Sequence, residues 1–372
     1  MKKTIIVIIL IMIIISTVVV LEKLINKKEF DTESVASAEI SQSNSAEIED
    51  KIKQGYTIIY TQTDLRNISS NISGKYYLAN DINFNGEVFS FQNNFTGEFD
   101  GNGHSIKNIK ITTDNMNTIS SFSLFAENMG IIKNLNIENI DIDVEDVDYY
   151  PTGVIARKNS GTIENCIVSG FIKVSGSNAS AYGICGNLTN GVIKNCTNKG
   201  NITAKYGASG IVTYSNGNIE NCTNEGNITS ENSSATGIVI TNTGTIKNCK
   251  NTGNITGANC VAGITTTNGD PNEKYGSIID CYSSGTITLN EAKEYQSNKI
   301  YVGGIVGNHI LGEIKNTTFE GNIKISTQTN VNKGNIAGAK STRATIDANN
   351  SYGQEYNFQE YYDENWMATL DD

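Results

Sequence analysis

The sequence has 372 residues and a formal net charge of −11, from 39 acidic and 28 basic side chains, with two histidines. This charge, without any basic stripe, argues against a nucleic acid partner, because phosphate backbones are bound mainly by clustered lysine and arginine. The 35 glycines, together with abundant Asn and Thr, disfavour long helices and favour an all-β fold.

Residues 1–28 predict a signal or anchor segment. Two lysines precede the uncharged run Thr4–Leu21, which approaches the roughly 20 apolar residues that span a bilayer. The alternative is a cleaved signal with Ala36-Ser37-Ala38 as its small-x-small site. That site lies far downstream of the apolar run, so we favour an uncleaved anchor, whose orientation the lysines on both sides leave open.

The rest of the chain divides by composition. Residues 29–55 are rich in Ser, Glu and Ala and predict a flexible polar stalk. Residues 56–100 predict an N-terminal cap with the first strands, residues 101–340 predict the regular coils, and the aromatic residues 341–372 predict a C-terminal cap.

The coils follow from a repeated phrase, G-x-I-x-N-C-x-N-x-G-N-I-T, preceded by a G-I-V phrase. Its clearest copies are Gly191–Thr203, Gly217–Thr229 and Gly244–Thr256. A repeat of this size predicts a stack of similar coils, here a right-handed parallel β-helix. We expect three strands in each coil: G-I-V, x-I-x and C-x-N-x-G-x-I.

One polar column recurs two residues after an Ile in each coil. In a continuous strand Ile219 and Cys222 would point to opposite faces, although both have core character, so we expect a bend at Asn221. Asn and Asp tolerate the left-handed backbone that such a bend needs, and stacked Asn side chains can form a hydrogen-bonded ladder. The predicted ladder consists of Asn108, Asn134, Asn165, Asn195, Asn221, Asn248, Asp280 and Asn316.

Five of the seven cysteines follow this column directly. In other copies the same position holds Ile109, Leu135 or Thr317. We therefore expect these cysteines to be reduced and to fill the core as small apolar side chains. A zinc site is not expected, because no C-x-x-C motif occurs.

The phrases YYLANDINFNGEVFSFQNNFTGEFDGNGHSIKNIKI and SLFAENMGIIKNL, followed by the G-I-V and N-x-G-x-I-x-N-C phrases, carry a family likeness. Over about residues 56–340 the chain resembles the GLUG-type right-handed β-helix repeats of bacterial surface proteins. Similar repeats flank IgA1-protease-like zinc metallopeptidases. The resemblance implies the fold and a place on the cell surface, but no peptidase activity, because H-E-x-x-H is missing at both His104 and His309.

Other chemistry is less favoured by the sequence. His104 and His309 are interpreted as turn and bend residues, and Glu164 and Glu220 as solvent-exposed, since other copies carry lysine there. No catalytic residue, metal ligand or cofactor is predicted. Weak calcium binding by the acidic stretch Glu138–Asp148 is the alternative to a solvated loop.

Long insertions enter the repeat at a single corner. They contain Asp141–Pro151, Leu289–Lys299 and Ser326–Lys333, and their tyrosines Tyr149, Tyr150 and Tyr295 are candidate binding residues. Tolerated drift in solvent loops explains such insertions equally well.

We predict a non-enzymatic adhesion or binding scaffold with a glycan or protein ligand on cell surfaces, anchored in the membrane by its N-terminus or secreted. The alternatives are a carbohydrate-active lyase or hydrolase and a passive spacer.

Overall fold

The structure is a computed structural model that describes residues 45–115, 122–145, 151–177, 179–272, 274–291, 299–326, 331–347, 350–352 and 359–360. The chain divides into two compact units, Met1–Tyr56 and Thr57–Asp372.

In the first unit, helix α1 covers residues 45–53, inside the segment predicted as a flexible stalk. The prediction of a flexible stalk does not take into account the helix-forming Ala, Glu and Lys residues of this segment. Among them, Glu47 lies four residues before Lys51, a spacing that stabilises a helix. Gly55 follows the last turn of the helix, and its φ of 85° suits a glycine that terminates a helix. Within the described residues no helix has the length and apolar character to cross a membrane. The predicted anchor Thr4–Leu21 lies outside those residues.

The second unit consists of parallel strands arranged in four sheets across the described ranges, which confirms the predicted all-β parallel solenoid. Sheet 1 contains Tyr56–Ile59, Lys75–Leu78, Glu98–Asp100, Ile131–Lys133, Thr162–Glu164, Val192–Lys194, Asn218–Glu220, Thr245–Lys247, Gly276–Ile279, Gly312–Lys315 and Ala344–Ile346. Sheet 2 contains Ile82–Asn83, Ser105–Lys107, Lys110–Thr112, Asn136–Val144, Ile167–Val174, Thr197–Asn198, Asn201–Ala204, Thr223–Asn224, Ile228–Ser230, Lys250–Asn251, Ile255–Gly257, Tyr282–Ser283, Thr286–Leu289, Thr318–Phe319, Asn322–Ile325 and Ser351–Tyr352. Sheet 3 contains Pro151–Gly153, Ser180–Tyr182, Gly207–Ser209, Ala235–Thr236, Cys260–Ala262, Ile300–Gly303 and Val331–Gly334. Sheet 4 contains Phe91–Phe95, Phe125–Asn128, Ala156–Asn159, Cys185–Leu188, Val212–Ser215, Val239–Asn242, Thr265–Asn268, Val306–His309, Ala337–Lys340 and Gln359–Glu360.

Each coil pairs with the next one in register. Ile193 lies beside Ile219, which lies beside Ile246, and the same side chains therefore stack on each other through the core. These isoleucines are fully buried. Because each isoleucine in this column packs against the isoleucine of the next coil, the same core contacts recur from coil to coil.

The prediction of three strands per coil is wrong, because two more bends occur. The G-I-V phrase spans the junction of sheets 3 and 4, where the consecutive residues Ile211 and Val212 are both buried. A straight strand cannot bury two neighbouring side chains on one face. The third predicted strand breaks at Gly200, which leaves the separate strands Thr197–Asn198 and Asn201–Ala204.

The first coils close with a helix and an aromatic cluster. Helix α2 (Gln62–Arg66) begins at Thr61, whose side chain and that of Asp64 form a capping box, and a 3-10 helix (Asn67–Ser70) follows. The Arg66 guanidinium lies over the rings of Phe84 and Phe89, and Phe89 contacts Phe91, which stacks on Phe125 with 5.1 Å between ring centroids. These aromatic side chains are buried members of the apolar core in the first coils.

Candidate functional site

The predicted bend column has an unusual backbone. All eight residues have positive φ, between 50° for Asn316 and 59° for Asn108. Only glycine, Asn and Asp enter this left-handed region readily. The bend lets Ile219 of sheet 1 and Cys222, which directly precedes the sheet 2 strand Thr223–Asn224, both point into the core.

The register places Asn108 outside the column of the other seven residues. Lys107 before it pairs with Glu138 in sheet 2, whereas Lys133 before Asn134 pairs with Asp100 in sheet 1. The side chains at these bends also bond between coils on the outside of the stack. Six of the seven amides donate from Nδ2 to a side-chain oxygen of the previous coil. The bonds are Asn108 to Asn83 (2.9 Å), Asn134 to Asp100 (2.9 Å), Asn165 to Asn134, Asn195 to Asn165 and Asn221 to Asn195 (3.0 Å each), and Asn316 to Asp280 (3.2 Å).

We expect Asn221→Ala to lower the free energy of unfolding by about 1–2 kcal/mol through left-handed strain, plus the lost ladder bond. Asn221→Gly should cost less, because glycine adopts this φ without strain. Denaturant unfolding of both variants measures the difference. Equal stability of wild type and Asn221→Ala would contradict a strained bend.

A second Asn ladder lies inside the core and was not predicted. Asn198, Asn224 and Asn251 are fully buried. The Nδ2 of Asn198 lies 2.8 Å from the Oδ1 of Asn224, and the same distance joins Asn224 to Asn251. Each Nδ2 also donates to the carbonyl oxygen of the glycine two residues later, at 2.9–3.0 Å. The buried amides are therefore satisfied only when neighbouring coils stack in register.

A further buried amide row on sheet 4 ends at a histidine. The Nδ2 of Asn242 donates to the Oδ1 of Asn268 (2.7 Å), and Asn268 donates to the Nδ1 of His309 (3.2 Å). The Nε2 of His309 lies 3.0 Å from the carbonyl oxygen of Thr345. His309 is thus a fully buried strand residue, and its interpretation as a bend residue is wrong. In register with Asn268, it takes the inward position that Asn242 and Asn268 occupy in the two preceding coils.

Burial lowers the pKa of His309 to about 4. The unfolded imidazole titrates near 6.5, so between these values the unfolded chain binds more protons. We expect stability to fall as the pH drops from 7 to 4, with about 3 kcal/mol attributable to this residue. In His309→Asn the fall over this interval should be smaller, as denaturant unfolding at several pH values will show. Identical pH profiles for the two proteins would contradict a neutral buried histidine.

The cysteine column lies where the sequence predicts it. Cys166, Cys196, Cys222, Cys249 and Cys281 are at most 1% exposed and form no disulfide. Their thiols lie 3.2–3.3 Å from the carbonyl oxygen two residues earlier. Burial raises the pKa of Cys196 and Cys249 well above the usual range. The five side chains therefore fill space in the core, and the thiols of Cys196 and Cys249 stay protonated at neutral pH.

The outward face of sheet 1 carries charges of alternating sign. Glu164 lies beside Lys194, which lies beside Glu220, and Lys194 Nζ is 2.6 Å from Glu164 Oε2. This hydrogen bond raises the pKa of Lys194. Such an exposed pair contributes little stability, but it leaves the Glu164 carboxylate paired with lysine.

The acidic stretch Glu138–Asp148 is described as far as Glu145. Asp141 pairs with Lys110 at 2.7 Å, and Asp143 with Lys173 at 3.2 Å. Within the described ranges no group of three or more His, Cys, Asp or Glu side chains is placed to hold a metal ion. The calcium alternative rests on Asp146 and Asp148, which lie outside those ranges.

The three candidate tyrosines, Tyr149, Tyr150 and Tyr295, also lie outside the described residues. The strands on either side of their loops show where the long insertions enter. Each insertion joins a sheet 2 strand that ends at Val144, Leu289 or Ile325 to the next strand of sheet 3. All three insertions therefore leave the stack at the same corner.

Sheet 2 presents an uncharged outward surface beside that corner, which we call the Asn/Thr face. One column contains Asn201, Asn227, Asn254 and Thr286, and the other contains Thr203, Thr229, Thr256 and Thr288. The three asparagines are exposed and the threonines are half-buried. The sequence signal for this face is the repeated phrase N-I-T, whose Ile points inward and whose Asn and Thr point outward.

No protein-family model matches the sequence. Over 143 residues, 32% of the chain, it is 28% identical to part of a protein named halomucin from Haloquadratum walsbyi, and it spans 2% of that protein's length. Among solved structures, it aligns with a protein assigned as an immunoglobulin A1 protease of Bacteroides ovatus at 23% identity and a TM-score of 0.46, covering 67% of this chain and 83% of the other. A second structure, named IgA1 protease, aligns at 16% identity and a TM-score of 0.44, covering 77% of this chain and 21% of the other. The solenoid assignment rests on the strand pairing of the chain itself.

Proposed function

We propose that this protein is a surface or secreted binding scaffold, a right-handed β-helix with GLUG-type repeats that adheres to other surfaces without catalysing a reaction. The proposal includes attachment to the membrane through residues 1–28, which the sequence alone suggests. The match to part of a halomucin is in keeping with a place outside the cell.

The observation that carries this proposal is the commitment of the polar side chains to coil stacking. The Asn221 amide binds the Asn195 side chain of the preceding coil, and buried Asn224 binds both neighbouring coils. His309, the residue type most often used in acid–base catalysis, is fully buried and paired on both nitrogens. Side chains that hydrogen-bond between coils stabilise a long repetitive surface. Solenoid proteins use such surfaces to bind extended partners.

The insertion corner is one proposed contact region. Tyr149, Tyr150 and Tyr295 combine apolar area with a polar tip, as residues at the centre of binding interfaces often do. The three insertions can be shortened to the spacing that separates Ile202 from Gly210. This should leave the core columns and the melting temperature unchanged but reduce adhesion. Adhesion equal to that of the unshortened chain would show that the insertions are tolerated drift.

The function itself is tested with the full chain immobilised on beads. We expect the beads to bind bacterial or host cell surfaces and to release no new reducing ends from a panel of polysaccharides. Release of reducing ends would identify a carbohydrate-active enzyme. Beads that neither bind a surface nor release sugar would identify a spacer.

A further inference from the structure

The threonine hydroxyls of the Asn/Thr face are not used by the fold. Within the described residues, the hydroxyls of Thr203, Thr229, Thr256 and Thr288 form no hydrogen bond. Hydroxyl groups that do not support the fold can donate to and accept from a ligand.

The asparagines of this face are held in one orientation by the sheet. The Oδ1 of Asn201 accepts the backbone N–H of Asn227 at 3.0 Å, and the Oδ1 of Asn227 accepts that of Asn254 at 3.2 Å. The Oδ1 of Asn254 accepts the backbone N–H of Thr286 at 3.0 Å. Since each oxygen is bound to the sheet, each Nδ2 remains as a donor toward solvent, with its direction fixed before any ligand binds.

The face is electrically neutral over four coils. On sheet 1 the corresponding column alternates between Glu164, Lys194, Glu220 and Lys247. The eight side chains of the Asn/Thr face carry no charge. Charged residues border the face, along the stack at Lys173 and Lys324 and along the strands at Lys199, Glu225, Lys205 and Glu231. The chain as a whole carries a net charge of −11. The side chains of the face itself therefore offer neither a cation to a polyanion nor a carboxylate to a polycation.

An aromatic side chain stands at one end of the face. Phe171 is 40% exposed and lies in register beside Asn201, at the head of the amide column. An exposed aromatic ring provides a flat apolar surface, and the threonine methyl groups continue apolar contact along the stack. The combination of ring, methyl, hydroxyl and amide groups matches a sugar, which has an apolar ring face and a rim of hydroxyls.

We propose that the Asn/Thr face binds a linear, neutral polysaccharide that lies along the stacking direction, across successive coils. The inference rests on the proposed adhesive function and assigns its ligand class and surface. Neighbouring strands are about 4.8 Å apart, comparable to one pyranose unit in an extended chain, so equivalent groups recur as the sugars recur. Each subsite is weak, but linked subsites on one polymer add their effects through a high local concentration.

The test measures retention of the full chain on neutral linear polysaccharides, namely cellulose, chitin and a β-glucan, with polygalacturonate and chitosan as charged comparisons. Three variants are compared with the wild type. Thr229→Lys with Thr256→Lys places two long charged side chains on the face. Thr229→Val with Thr256→Val removes only the hydroxyls and keeps the branched shape. Thr162→Lys with Thr245→Lys makes the same change at half-buried positions of sheet 1.

We expect retention on at least one neutral polysaccharide, weakened about tenfold by the lysine pair on the face, which corresponds to about 1.4 kcal/mol. The valine pair should also weaken retention, and the sheet 1 pair should not. Retention only on a charged polymer, or equal loss from both lysine pairs, would overturn the proposal. If beads adhere to cells but the chain is not retained on any neutral polysaccharide, this inference fails while the adhesive function stands. If the chain is retained on a neutral polysaccharide but the beads do not adhere to cells, the polysaccharide inference stands and the adhesive function fails.

Discussion

Gly253→Ala is expected to destabilise the fold by about 3 kcal/mol or more, an unusually large effect for the addition of one methyl group. Gly253 is fully surrounded at the bend inside sheet 2, and a Cβ there would lie far inside van der Waals contact with the carbonyl oxygen of Gly226 in the preceding coil. Since that oxygen belongs to backbone on a stacked coil, a side-chain rotation cannot relieve the clash.

Gly200→Ala provides the matched control in the same column. A Cβ at Gly200 would meet the carbonyl oxygen of Gly170 at 3.2 Å, a tight contact that a small shift relieves, so we expect a cost of roughly 1 kcal/mol. Denaturant unfolding followed by circular dichroism compares the two variants. Equal free energies of unfolding would show that the coils are not stacked as closely as the structure has them.

Asn224→Ala is the second substitution with a large expected effect, about 3–5 kcal/mol. It removes the amide that donates to Gly226 and Asn251 and accepts from Asn198, all at 2.8–2.9 Å. The neighbouring polar groups stay buried without partners, and a cavity replaces the amide, so two costs add.

Asn218→Ala in the same coil separates this effect from a general preference for Asn. Asn218 is exposed on the outward side of sheet 1, where substitutions usually change stability by less than about 0.5 kcal/mol. Thermal unfolding of the two variants should therefore differ clearly. A melting temperature for Asn224→Ala within the range of Asn218→Ala would contradict the buried ladder.

The bends of the outer ladder can be predicted from the sequence because apolar residues on both sides constrain them. Ile219 and Cys222 must both be buried, yet strand alternation separates them, so the chain has to turn at Asn221. Residue type then selects the conformation, since Asn has the least unfavourable left-handed backbone after glycine.

The inner ladder was predictable by the same rule but was missed. Asn224 lies two residues after the buried Cys222, so alternation places its side chain inward. A buried amide needs partners, and the equivalent Asn of adjacent coils supplies them. The outer and inner columns have the same residue type, so the identity of the residue alone does not distinguish a buried Asn from an exposed one.

Two other features exceeded what the pattern could show. The identity of His309 as the continuation of an amide row depends on its register with Asn268, which a lone histidine beside an irregular insertion does not indicate. The Asn/Thr face can be recognised only when it is known which polar atoms of the N-I-T phrase are already hydrogen-bonded. The contacts between coils show that the Oδ1 of Asn227 is bound to the sheet, which leaves its Nδ2 facing outward.

Protection of introduced thiols tests most directly whether the Asn/Thr face is the binding surface. The native cysteines other than half-buried Cys260 are buried, so Thr229→Cys and Thr245→Cys should each add one rapidly alkylated thiol to the full chain. With a retained neutral polysaccharide present, the account predicts slower alkylation of Thr229→Cys and an unchanged rate for Thr245→Cys. Unchanged alkylation of Thr229→Cys while the polymer remains bound would contradict it.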